Sequence, residues 1–323
     1  MKAWILKALV LISLAVPATA GDSAARTNRA VAVTFDDLPG PPGSLVSSDV
    51  GALRENTRKL LATFAEARIP VVGFVNEGKL FVDGEKPEDA EARIAVLKTW
   101  IEAGHELGNH TYSHRSLNRT PLGEFQADVI RGEPVTRRLL EEKGRELRYF
   151  RHPFLQVGLE LEKRTAFEAF LKDRGYTVAP VTIDNDEYVY AAIYANALRR
   201  GDQEAAAKIG ADYRRYMDAV IAFVEDVSRR LVGREIPQVL LLHANALNAD
   251  HFGAVARSMK DRGYRFVPLD EALRDEAYTL PDTYVGNWGI SWLHHWELTA
   301  GKKRSPSPDP PEWVTKAYEA LGR

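Results

Sequence analysis

Apolar residues along the chain fall into short runs that are apolar at nearly every position. Longer stretches between them carry apolar residues three and four apart. The first run is residues 29–35, similar runs follow at 71–75, 177–183 and 239–242, and shorter strands are predicted at 105–110, 148–151 and 265–268. Between them, Leu53, Leu60, Leu61 and Phe64 predict a helix opened by Asp49 and stopped by Pro70. A second helix is predicted over 87–103 and closed by Gly104; Thr120-Pro121 predicts the cap and first residue of a third, running to Glu142. A fourth runs from Leu159 to Asp-Arg-Gly-Tyr at 173–176, a turn repeated at 261–264, and both read as helix stops with Gly in the left-handed conformation. Residues 187–232 are too long for one crossover and predict an inserted helical hairpin broken at Arg200-Gly201-Asp202. Short strands apolar on both faces and separated by helices belong to a parallel sheet covered by helices. Seven such units close into a barrel, whole or partly open; an open doubly wound sheet is the alternative.

Composition removes several function classes. The chain has 323 residues, 45% hydrophobic and 27% charged, with a formal net charge of -2. That is an ordinary globular composition with no basic excess for nucleic acid or an anionic membrane. Lys2 and Lys7, the apolar run Ala8 to Pro17, and Ala18-Thr19-Ala20 form an export signal, residues 1–20, cut near Gly21. The expectation is a periplasmic or extracellular protein with no stable membrane insertion after cleavage. There is no cysteine, so any metal site must use His, Asp and Glu.

Ionisable residues recur where the predicted strands end. Asp36-Asp37 follows the first, His110 and His114 the third, Arg151 the fourth, Asp184 the fifth and His243 the sixth. In a parallel α/β layer these ends share one rim. His110 and His114 are four apart, a spacing that on a helical turn puts both rings on one face to share a metal ion. Together these are the groups that metal-assisted hydrolysis needs. His105, at the start of its strand, reads as structural; His152 takes no role, and His251 reads as a surface residue.

Five segments carry a family resemblance. Thr34-Phe35-Asp36-Asp37, Gly108 to His114, Arg151-His152-Pro153-Phe154, Asp184 to Tyr188 and Leu240 to His243 resemble, in order, the motifs of the polysaccharide deacetylases with a NodB homology domain, carbohydrate esterase family 4. The resemblance implies a distorted (β/α) barrel of seven or eight units over 29–275, followed by an aromatic, Pro-containing extension, 276–323. It implies a divalent metal on Asp37, His110 and His114: zinc first, with cobalt, nickel or manganese as alternatives. Asp36 would be the general base, oriented by Arg151, and His243 the general acid, with Asp184 holding its other nitrogen. Phe154 and Tyr188 would contact substrate, the Phe154 amide stabilising the oxyanion. The expected activity is removal of N-acetyl, or O-acetyl, groups from an acetylated glycan. A glycan-binding protein without turnover and an amidohydrolase of small cyclic amides are the rivals. Leu38, Asn185-Asp186-Glu187-Tyr188 and Ala244-Asn245 depart from the family pattern and bear on substrate choice. Trp288, Trp292, Trp296 and Trp313 in the extension fit sugar stacking or core packing equally.

Overall fold

The computed structural model describes residues 29–40, 49–81, 84 and 86–322; the predicted export signal lies outside them. The fold is built on β1 (Arg29–Leu38), every residue of which is buried. One edge of β1 pairs with β6 (Gln238–His243). The other pairs first with β7 (Tyr264–Phe266), at Arg29–Val31, and then with β2 (Val71–Val75) from Val33 onward. β3 (Glu106–Asn109), β4 (Tyr149–Phe150) and β5 (Thr177–Val178) extend the sheet beyond β2, and all pairings are parallel. β5 leaves the ladder after two residues, where residues through 183 were expected to continue it. The chain crosses instead to the far edge, where Ile183 bridges Leu240 and the Thr182 amide donates to Val239 O at 3.0 Å. That crossing closes a distorted parallel barrel, the expected fold class.

Alternation along β1 sorts its side chains. Ala30 and Ala32 join Val72, Phe74, Tyr149, Ala179 and Val239 in the barrel interior. Val31, Val33 and Phe35 face outward into the larger core, with Leu60, Phe64, Trp100 and Phe252. Period two then assigns Thr34 and Asp36 to the inner face, at the upper end of the barrel.

Around the barrel lie α1 (Val50–Ala67), α2 (Pro87–Glu102), α5 (Leu161–Asp173) and α8 (Ala246–Asp261). The predicted helix 120–142 is two: α3 (Leu122–Arg131), with Pro121 as its cap residue, and α4 (Pro134–Glu141). Pro134 lacks the N–H that would continue α3. The new helix start is capped by buried Glu77, which accepts from Val135 N at 3.1 Å and Thr136 N at 2.6 Å. The insertion is the expected hairpin, α6 (Glu187–Arg199) and α7 (Gln203–Val232). Both Asp-Arg-Gly-Tyr glycines are left-handed, at φ 78° and 91°. After α9 (Leu269–Ala272), the C-terminal segment forms α10 (Trp292–Thr299) and α11 (Glu312–Glu319). Trp292, Leu293, Trp296 and Val314 join the main core and Trp313 packs against it partly buried, so three of the four tryptophans pack and Trp288 faces solvent. No helix among the described residues is long and apolar enough to cross a membrane.

Candidate active site

Asp36 is the top layer of the barrel interior and is 2% exposed. Arg151, fully buried just past β4, reaches it across the barrel: Nη1 donates to Asp36 Oδ1 at 3.2 Å and Nη2 to Thr34 Oγ1 at 3.0 Å. Its Nε donates to Ala179 O at 2.8 Å, and its plane lies over the Phe74 ring at 4.6 Å. Three anchors fix the guanidinium, as the predicted pairing with Asp36 requires. Burial pushes the Asp36 carboxyl up, the Arg151 charge pulls it back, and the balance is a pKa of about 6.

Asp37 reaches the rim because β1 breaks register there. Pairing with β2 shifts between Phe35 and Leu38, and Asp37 is left-handed at φ 71°. Such a bulge re-aims a side chain that strict alternation would bury on the other face. His110 and His114 are not on a helical turn. Residues 110–114 are a loop, with Thr111 and His114 left-handed at φ 65° and 52°. Asn109 Oδ1 accepts from Thr111 N at 2.7 Å, Thr111 Oγ1 accepts from His114 N at 3.0 Å, and the Asn76 amide donates to His110 O.

These turns bring one ligand atom each of Asp37, His110 and His114 within 4.8 Å of one another. Asp37 Oδ1 is 3.4 Å from His114 Nε2 and 3.9 Å from His110 Nε2. His110 Nδ1 lies 2.8 Å from Arg151 O, an atom that only accepts, so the proton sits on Nδ1 and the Nε2 lone pair faces Asp37. Burial lowers both imidazole pKa values, keeping the rings neutral, as ligands must be. Two neutral imidazoles and an ionised carboxylate fit a divalent metal with positions left open. Lys79, which no sequence motif marks, forms an ion pair with Asp37 Oδ1 at 2.8 Å and donates to Asp37 O at 3.3 Å. Burial disfavours the ionised form of Asp37, but Lys79 and the histidines hold its carboxyl below the usual range.

His243 faces the same centre, its Nε2 3.9 Å from Asp37 Oδ2. Its Nδ1 was expected on Asp184; the partner is Glu187 Oε2, at 2.8 Å. Glu187, 1% exposed, lies in the first turn of α6 and also accepts from Asn245 Nδ2 and, at 2.9 Å, from Asn248 Nδ2. The residues that depart from the family pattern at 187 and 245 therefore touch each other. Glu187 opens α6 three residues beyond Asp184, and the Asn245 amide, two residues after His243, holds it. Burial works against charged His243, but the Glu187 hydrogen bond and charge, with Asp37 and Asp36, raise its pKa to about 9. Asp184 lines the same cleft; burial and then Asp186 push its pKa to about 7.

The cleft has a volume of about 1190 Å³, and Phe154 and Tyr188 line it as expected, both exposed. The Phe154 ring stands edge-on to His114, centroids 4.3 Å apart, on a left-handed residue at φ 57°. His105 packs edge-on against Phe64 and His152 against Phe150, both away from the rim. His251 is half-buried rather than on the surface, its ring against Tyr194.

Comparison with known proteins gives a family match over the first part of the chain. The family model for polysaccharide deacetylases matches residues 23–178. A peptidoglycan-N-acetylglucosamine deacetylase from Bacillus cereus is 30% identical over 138 residues, 43% of this chain and 40% of its own length. The chain therefore spans about two-fifths of that relative. Among solved structures, a family 4 carbohydrate esterase from Streptomyces lividans in complex with acetate is 18% identical, with 74% of this chain and 91% of that one covered and a TM-score of 0.44. A family 4 pseudoenzyme from Bacillus anthracis is 15% identical, with 77% and 67% covered and a TM-score of 0.46. Residues 23–178 thus match the polysaccharide deacetylase family, and the fold that they share with the rest of the chain is a parallel barrel.

Proposed function

We propose that the protein is an exported, metal-dependent hydrolase that removes acetyl groups, N-acetyl before O-acetyl, from an amino-sugar glycan. The observation that carries this reading is the placement of Asp37, His110 and His114 between a buried carboxylate, Asp36, and a charged imidazole, His243, at one cleft. Peptidoglycan N-acetylglucosamine, named for the Bacillus cereus relative, is the first substrate to try. The two-nitrogen, one-oxygen donor set favours zinc, which when bound would polarise the acetyl carbonyl and acidify water.

The protein's own groups handle the protons. Ionised Asp36 takes the proton that water loses as its oxygen adds to the acetyl carbon. Arg151 holds that carboxylate in one orientation and favours its charged form. As the C–N bond breaks, His243 gives its proton to the leaving nitrogen, and the products are acetate and a free amine. Glu187 fixes the imidazole tautomer and stabilises the cation before transfer. An ester substrate needs the same two transfers, so O-acetyl groups stay within reach of the site.

Two variants separate metal binding from chemistry. Asp36→Asn is expected to keep bound metal and lose turnover, whereas His110→Ala loses both. Acetate release and metal content are the two readouts. Wild-type turnover by Asp36→Asn would overturn the assignment of the base.

A further inference from the structure

The chemistry above uses nothing from the C-terminal segment, yet several of its residues line the cleft. Trp288 lines it beside Gly289 and the Phe154 turn. It is 75% exposed, the most exposed large apolar side chain among the described residues. A lone exposed tryptophan on a loose loop needs no explanation. This one is on a loop tied down on both sides. Gly286 N donates to Gly158 O at 3.1 Å, and Asn118 Nδ2 donates to Gly286 O at 2.9 Å. Gln156 Nε2 donates to Asn287 O at 3.0 Å, and Tyr284 Oη donates to Trp288 O itself at 2.8 Å. At Gly289 a Cβ would overlap the Phe154 carbonyl, so the loop presses backbone to backbone on the turn that borders His114. Beyond it, Ser291 Oγ donates to Thr182 O at 2.8 Å and Trp292 N to Val181 O at 2.7 Å. The backbone is held in place while the indole is left in solvent.

The cleft is also larger than one sugar needs. Its volume of about 1190 Å³ exceeds the ~300–1,000 Å³ typical of pockets that enclose a drug-sized molecule. Tyr188 and Tyr318, edge-on with centroids 6.0 Å apart, add further aromatic surface from α6 and α11. A pyranose ring has an apolar face of C–H groups and a polar rim, so it suits a fixed aromatic plane in an open, wet cleft. A protein partner would want an apolar face on the convex surface; here the face lies inside the cleft, continuous with the reacting centre.

We propose that Trp288 is the stacking platform of a second sugar subsite. It holds the pyranose next in the chain to the residue being deacetylated, so the preferred substrate is an oligosaccharide or polymer. This rests on the reading of the cleft as a glycan site.

The test uses the zinc-loaded full chain carrying Asp36→Asn, so that the probe stays acetylated. Calorimetry measures affinity for N-acetylglucosamine and for its β-1,4-linked pentamer. The pentamer is expected to bind more tightly than the monomer. Adding Trp288→Ala weakens pentamer binding tenfold or more, with a smaller loss for the monomer, while Trp288→Phe restores most of the difference. Acetate release by the unmutated chain is measured beside it. Equal pentamer affinity with and without Trp288→Ala overturns the subsite, and so does failure of the pentamer to bind. Trp288-dependent binding without acetate release keeps the subsite and sinks the deacetylase reading. Acetate release with no Trp288 effect does the reverse.

Discussion

Asp184 and Glu187 stand three residues apart, before and at the start of α6, and Glu187 is the one that holds His243. The two carboxylates therefore predict different losses. Glu187→Gln removes the charge that keeps His243 protonated and should lower kcat by roughly 10²-fold or more, the scale of a general acid. Asp184→Asn should cost markedly less; equal losses would return Asp184 to the acid's partner. Arg151 gives a prediction of opposite character. Its charge pulls the Asp36 pKa down against burial, so Arg151→Met raises that pKa and moves the acid limb of kcat/KM to higher pH. It also leaves a buried carboxylate unpaired, a loss of ~3–5 kcal/mol in stability. An unmoved acid limb would separate Arg151 from the base. Asp36, Asp37, His110, His114, Arg151 and His243 were legible because each sits in a short motif directly after a strand. Glu187 was not, because its choice over Asp184 depends on how α6 enters from the rim and on Asn245 and Asn248 across the cleft. Lys79 escaped notice because it follows β2, where no motif drew attention.

At the scale of elements, β1 was readable from its apolar run, but the bulge that aims Asp37 was not. Nothing in Asp36-Asp37 itself says that register slips there; the pairing with β2 decides it. The same holds for the 110–114 loop. The two histidines do come together at one centre, and the backbone that achieves it is a pair of left-handed residues instead of a helix. β5 was read too long because the apolar run through Ile183 serves two edges in turn. The link from α5 to the C-terminal segment was invisible in sequence. Arg164 makes paired bonds to Asp282 at 2.9 and 2.8 Å, and His295 Nδ1 lies 3.0 Å from the same carboxylate. Asp282→Ala removes the paired acceptor of the buried guanidinium and leaves it Glu168 at 2.8 Å, costing ~1–3 kcal/mol. At roughly 2–4 °C per kcal/mol, melting should fall by about 5 °C. Unchanged melting would mean that the link carries no stability.

For the whole molecule, the barrel, the insertion and the C-terminal segment share one core, since Tyr190, Tyr213, Trp292 and Val314 are buried with β1 residues. Deleting 276–323 is accordingly expected to give an insoluble chain rather than a smaller active one. Soluble, cooperatively melting protein after that deletion would argue for a separable extension. The site as a whole sets the pH profile. Asp36 must be ionised, so activity rises as pH passes its pKa of about 6. His243 must be protonated, so activity falls as pH passes about 9. A dication beside both groups disfavours protonation of each, so the zinc-loaded profile is a bell with each limb at or below those values. The Asp37–His110–His114 site is expected to turn over an acetylated glycan when it holds metal. The direct measurement is acetate release from acetylated chitooligosaccharides and peptidoglycan by chelator-stripped protein titrated with zinc. No acetate before zinc, and a rate that saturates near one equivalent, is the predicted result. Release that persists in the stripped protein, or none from either substrate at full zinc occupancy, would contradict it.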